Sequence, residues 1–201
     1  MAVTPNYSWP VPVATDLVKD GYAAIADLGD AIDATVFGLA VGGLVLINTT
    51  TYTAVASQSV NDVFSATYEN YKIIIRQGAQ ASGGDHRLKL RVGGADSSAS
   101  YYLGGEIANV GGTSNISENN VTTGFQINQN NISELSTTMD IIAPFLTEKT
   151  RVNGLSTSRY TTTNRGMYFG GVHDLANSYT GFTIINQGNQ TGKIFVYGYN
   201  L

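Results

Sequence analysis

The sequence predicts a mainly β fold: an antiparallel β-sandwich, jelly-roll-like, preceded by an extended N-terminal leader and one short α-helix. Three observations carry this reading. From about Gly42 onward, Tyr, Thr, Ser, Asn, Gly and β-branched residues fall in short alternating runs, the period of a strand with one buried face. Clusters of Gly, Asn and Ser punctuate those runs where turns belong. Charged residues make up 13% of the 201, against about a quarter in ordinary domains, so Thr, Ser and Asn must keep the surface wet.

Residues 1–41 form the expected anchoring and oligomerising segment, and residues 42–201 the sandwich. In the leader Trp9-Pro10-Val11-Pro12-Val13, the prolines hold φ near the polyproline value and disfavour helix in the residue before each. Thr15 or Asp16 is placed to cap a helix beginning at Leu17. Val18, Ile25 and Ile32 recur every seven residues, with Leu28 between them, as a short oligomerisation stripe flanked by aspartates. Gly21 and Gly29 each cost about 1 kcal/mol relative to Ala, so this helix needs a surface to pack on. Two partners supply one: the chain's own β domain, or a bundle of three chains. Tyr7, Trp9, Pro10, Val11 and Pro12 are expected to dock the leader onto a larger assembly. The alternative for Trp9, the only tryptophan, is packing against the chain's own helix.

In the β domain, residues 44–47 and 52–56 read as two strands before a turn at 59–62. The run 71–76 puts Tyr71, Ile73 and Ile75 on one face. The run 86–92 alternates, with Leu88, Leu90 and Val92 inward and Arg87, Lys89 and Arg91 outward. Across the Gly- and Ser-rich loop 78–85 these two should pair with each other. Runs at 101–108, 121–127, 137–143, 151–156, 166–172, 181–185 and 193–199 bring the expected total to around ten short strands.

The chemistry-bearing residues are sparse. There is no Cys, hence no disulfide and no thiolate metal site. A net charge of -4 argues against a nucleic-acid partner. His86 and His173, each beside an aspartate, read as polar loop residues. Ser57, Ser97 and Ser98 lack a G-x-S-x-G elbow, and Glu106, Glu118, Glu134 and Glu148 fall in or near expected loops. The Gly pairs lack the Lys-Ser/Thr of a phosphate loop and are turns. No catalytic residue, metal or cofactor is therefore expected. The row Arg87, Lys89, Arg91, adjoined by Lys72 and Arg76, is either a solvated strand face or a contact for an acidic partner or anionic glycan. Tyr101, Tyr102, Tyr160 and Tyr179 fall near expected loops and are the receptor-contact candidates, because tyrosine offers rigid area with a polar tip. The apolar run 36–47 is too short to span a membrane, and the first residues lack the basic and apolar regions of a signal peptide.

The run Asn6-Tyr7-Ser8-Trp9-Pro10-Val11-Pro12, with Thr15-Asp16-Leu17-Val18-Lys19-Asp20-Gly21 and Ala31-Ile32-Asp33, resembles a leader of tail-fibre and minor tail proteins of tailed bacteriophages. Phe64-Ser65-Ala66-Thr67-Tyr68-Glu69-Asn70-Tyr71-Lys72-Ile73 and the ending Ile194-Phe195-Val196-Tyr197-Gly198-Tyr199 resemble signatures of their β domains. The middle, from about Asp96 to Asn164, matches nothing in that family. The resemblance implies a virion component assembled in the host cytoplasm, commonly a homotrimer. Its N-terminus would face other virion proteins, and its β domain a host-surface glycan or protein. A short tail fibre or tip subunit is the expected function. A capsid-decorating or head-fibre protein is the alternative, and a glycan depolymerase a third reading.

Overall fold

The computed structural model describes residues 2–13, 17–38, 43–78, 84–129, 134–160 and 163–200. The chain divides into two compact units, one within residues 1–42 and the other spanning Gly43–Asn200.

In the first unit the leader is a small ribbon rather than a simple extended lead. β1 (Ala2–Val3) pairs antiparallel with β2 (Pro10–Val11). The loop between them closes through Thr4 N–H to the Trp9 carbonyl at 2.9 Å and Trp9 N–H to Thr4 Oγ1 at 3.0 Å. A 3-10 turn, Val18–Asp20, leads into α1 (Gly21–Gly38). The expected caps Thr15 and Asp16 lie outside the described residues. Leu17, the expected first helical residue, is instead extended, and no side chain caps the turn. The helix thus starts later than the sequence suggests, because its first turn lacks the acceptor that would satisfy its free N–H groups.

The second unit is antiparallel throughout and sandwich-like, built from eleven strands. These are β3 (Gly43–Val60), β4 (Asn70–Gln77), β5 (His86–Val92), β6 (Ala95–Asp96), β7 (Tyr101–Asn109) and β8 (Gly112–Val121). They are followed by β9 (Phe125–Asn128), β10 (Leu135–Ile142), β11 (Thr150–Tyr160), β12 (Thr163–His173) and β13 (Gly181–Asn200). The order across the sheet is β6-β5-β13-β4-β10-β11-β12-β7-β8, with β3 on the other edge of β13 and β9 beside β5.

The expected pairing of 71–76 with 86–92 does not occur. β4 and β5 each pair with β13 instead, β5 with residues 181–185 and β4 with residues 192–198. Between those stretches, residues 185 to 190 of β13 answer only residues 57 to 55 of β3, so β13 bulges and can pass from one layer to the other. The two runs expected at 181–185 and 193–199 are therefore one strand. The same holds for 44–47 and 52–56, which merge into β3 through strand-permissive threonines and a bulge at Ala54, φ 52°. The expected turn at 59–62 begins only after Val60. β8, read as turn and loop, is a polar edge strand carrying Glu118. Val92, expected inward, is 43% exposed, because β5 ends there at the turn to β6.

The sheet curls so that β5 and β9 close over β7, β11 and β12. Asn128 Nδ2 on β9 donates to Ser156 Oγ on β11 at 3.0 Å. The Phe125 ring meets Tyr101 of β7 edge-on, with centroids 4.9 Å apart. Leu90 N–H on β5 donates to Tyr101 Oη at 2.9 Å. Inner positions line up across strands: Ile194, Ile75, Thr137, Ser156 and Met167 form one row, and Val196, Ile73, Met139, Gly154 and Phe169 the next. All of these except Gly154 are buried. Full burial of each aliphatic or aromatic side chain in these rows stabilises the fold by about 1.5–3 kcal/mol.

Gly154 is the tightest point of that second row. A Cβ there would lie 2.6 Å from Phe169 Cζ and 2.8 Å from Met139 Cβ. Gly104, on β7, has open space around the same position. Gly154→Val is expected to destabilise by about 2–3 kcal/mol through overpacking, and Gly104→Ala to stay within about 0.5 kcal/mol of the parent, both read from urea midpoints.

Candidate functional site

The receptor-contact tyrosines do not form a site. Tyr101 and Tyr179 are buried, against the expectation of contact, because both pack edge-on against His173 at centroid distances of 4.4 and 5.2 Å. Burial pushes the Tyr101 phenol well above its ordinary range. Tyr102 is half-buried at the opposite position to Val172, and the Tyr160 side chain lies outside the described residues.

In the N-terminal unit, Tyr7 stacks on Trp9 with centroids 5.1 Å apart, and the Trp9 indole N–H donates to Thr35 Oγ1 at 2.8 Å. Trp9 thus packs on the chain's own helix. Pro10 and Val11 form β2, and Pro12 is exposed. On α1 the stripe splits. Leu28 lies two turns before Thr35 on the same helix face, and both are half-buried along with Ile32. Ile25 is exposed, and so is Val18, which falls on the 3-10 turn before the helix.

Of the basic row singled out from sequence, Arg87, Arg91 and the adjoining Lys72 are neutralised, whereas Lys89 has no carboxylate partner among the described residues. Arg87 Nη2 pairs with Glu118 Oε1 at 2.7 Å and Asp85 Oδ2 at 3.4 Å, and Arg91 Nη1 pairs with Asp96 Oδ1 at 2.5 Å. Lys72 Nζ pairs with Asp140 Oδ1 at 2.7 Å, where Tyr199 Oη also donates, at 2.6 Å. Burial lowers the Lys72 pKa, but the hydrogen bonds and charge of Asp140 and Tyr199 outweigh it and leave the ammonium raised.

A different cationic site forms at one end of the larger limb of the sheet. An open cleft of about 1330 Å³ crosses β3, β13, β4, β10, β11 and β12. Its central row is set by strand register: Thr51, Lys193, Arg76, Ser136 and Thr157 sit side by side, all exposed. Lys193 stands directly opposite Arg76, a like-charge pair that costs stability across a ladder. Beyond this row Arg159 pairs in register with Asn164, and Arg165 and Glu134 complete the charged lining. Four of the chain's eleven Lys and Arg residues therefore line one cleft, with a single carboxylate among its described residues. Among the described residues Arg76, Arg159 and Lys193 make no ion pair. Sequence reasoning names only Arg76 of these, as a satellite of the wrong row. Outward cations at strand ends are visible in sequence, but which strands are neighbours is not.

Gln77, which lines the cleft, belongs to a buried polar network. Gln77 Nε2 donates to Asn186 Oδ1 at 2.9 Å, and His86 Nδ1 lies 3.1 Å from the same oxygen. Asn186 Nδ2 donates back to the Val55 carbonyl at 3.3 Å. Tyr52, buried over Gly192, has its phenol pushed up to about 12 by burial. His86, expected in a loop, is on β5 and 1% exposed, and burial lowers its pKa to about 4.

His173, also expected in a loop, ends β12 and is fully buried, with its pKa lowered by burial. Its Nε2 lies 2.9 Å from Ser97 Oγ, the spacing of a nucleophile and base. The other ring nitrogen points at donors, Leu175 N–H at 3.4 Å and Tyr179 Oη at 3.3 Å. With Nδ1 accepting, Nε2 carries the ring proton and donates it toward Ser97, the reverse of what a general base requires. The Asp174 carboxylate turns to Lys149. The pair is a hydrogen bond that satisfies a buried imidazole.

Among the described residues no three His, Asp or Glu side chains gather as a metal site, and no helix is long and apolar enough to cross a membrane. No protein-family model, curated protein or solved structure matches the chain.

Both histidines resist a proton that the unfolded chain binds, so they contribute stability that is present above pH 6.5 and lost as the pH falls, in the case of His86 toward about 4. The loss from His86 is on the order of 3 kcal/mol. Urea midpoints should drop between pH about 7 and about 4.5, and His86→Gln should flatten the slope. A slope unchanged in that variant would mean His86 is not the group responsible.

Proposed function

We propose that the chain is a non-enzymatic bacteriophage virion subunit, a short tail fibre or tip. Its N-terminal unit mounts it on other virion proteins, and its β unit meets the host surface. The observation that carries this reading is the division into a small helical unit and a β unit with an open polar cleft. An appendage needs two such surfaces, one for mounting and one for contact. The resemblance of the leader to those of tail-fibre proteins supports the same assignment.

The helix also supports self-association. Val18, Tyr22, Ile25 and Val36 are 98%, 85%, 66% and 59% exposed, at spacings of three, four and seven that place them along one stripe with Gly29 and Ile32. The adjacent face, through Ala24, Leu28 and Thr35, is the one that meets the leader. An unpartnered apolar stripe of this spacing suits a bundle of copies, and a trimer is the form we propose.

Two measurements test the reading. Immunogold labelling with antibody to the β unit is expected to mark the tail; label spread over the capsid lattice would move the appendage to the head, and unlabelled particles would overturn the virion assignment. Light scattering is expected to give a trimer mass that falls toward the monomer in Ile25→Asp. A variant with unchanged mass would remove α1 as the oligomerising element.

A further inference from the structure

We infer that the cleft over β13, β4, β10, β11 and β12 binds an acidic polysaccharide, one whose sugars carry carboxylate or sulfate groups. The inference rests on the proposed role of the β unit in meeting a host surface. The chain as a whole is acidic, with a net charge of -4, yet Arg76, Arg159, Arg165 and Lys193 converge on one cleft beside a single carboxylate, Glu134. Lys193 and Arg76 face each other without an intervening acid, so the empty cleft carries a repulsion that an anion between them removes. Elsewhere on the β unit the fold answers Lys72, Arg87, Arg91 and Lys149 with carboxylates of its own. Lys89 and Arg151 also lack a carboxylate partner among the described residues, but only at the cleft do three such cations, Arg76, Arg159 and Lys193, line one opening, large enough for several sugar rings.

The rest of the lining separates an acidic sugar from other polyanions. Between the cations stand hydroxyl and amide groups, among them Ser136, Thr157 and Asn164. Their mixed donors and acceptors match sugar hydroxyls. No aromatic side chain lines the cleft among the described residues, so there is no platform for stacking bases. Leu135 is the single large apolar residue of the lining, whereas the centre of a protein interface is enriched in aromatic residues. Guanidinium forks suit carboxylate and sulfate oxygens bidentately.

The test is calorimetric titration of the full chain with oligogalacturonate, sulfated dextran, neutral dextran, polyglutamate and oligothymidylate. Oligogalacturonate, sulfated dextran or both should bind, more weakly as salt rises, and neutral dextran should not. In Arg76→Ser/Lys193→Ser, affinity for the acidic sugar should fall about tenfold or more. Both side chains are exposed, so the variant should unfold at an equal or higher urea concentration than the parent. Equal affinity in parent and variant would overturn the site. Binding of polyglutamate or oligothymidylate at least as tight as the sugars would overturn the ligand class, and so would silence from both acidic sugars. If labelled virions carry the chain while the acidic sugars fail, only the ligand assignment falls. If virions lack the chain, the appendage reading falls whatever the titrations give.

Discussion

β13 bonds β3 along one edge and, along the other, first β5 and then β4. A strand can serve two layers in this way only if it changes direction between them. The extra residues around 186–189 supply that change, and the hydrogen-bonded ladder resumes on either side. Everything downstream inherits its position from this crossing. β5 carries β6 and β9 over the core, while β4 begins the long run β10-β11-β12-β7-β8 that curls round to meet them. Gly181 and Gly192 flank the bulged stretch of β13. A Cβ at either would meet a neighbouring carbonyl, the Val60 oxygen at 2.3 Å or the Arg76 oxygen at 2.4 Å.

The crossing also explains the cluster of buried polar side chains beside the bulge. The row through Val196, Ile73, Met139 and Phe169 is packed by hydrophobic side chains. Where β13 bulges, backbone groups leave the ladder and need other partners, and Asn186 supplies one by donating to the Val55 carbonyl. Gln77 and His86 then gather on the amide of Asn186. The buried polar network around Asn186 is thus a consequence of turning the strand. The cations of the cleft are set by the same register, since Lys193 meets Arg76 only because β13 pairs with β4 there.

Strand content, the helix and the inward faces of β4 and β5 were legible in the sequence, because alternation of period two is a local property. Tyr71, Ile73, Ile75, Leu88 and Leu90 are buried as alternation requires. The separation of β4 from β5 was not legible: adjacency in sequence favours a hairpin, and nothing local announces a strand from the far C-terminus inserted between them. Tyr101 and Tyr179 looked like surface residues because they adjoin turns, yet a buried imidazole recruits both. Arg87 and Arg91 looked free because their acids, Glu118 and Asp96, arrive from other strands.

The sequence by itself determined that the chain is mainly β, that an isolated helix precedes the sheet, and which side of most strands is buried. Those properties follow from residue spacing along one segment. Only the tertiary structure decided that one strand links two layers, that both histidines are buried, and that Arg76, Arg159, Arg165 and Lys193 share a cleft. The reason is that charge pairing and site assembly depend on which distant segments become neighbours. That choice is made by non-local burial and register, which no single stretch of the sequence contains.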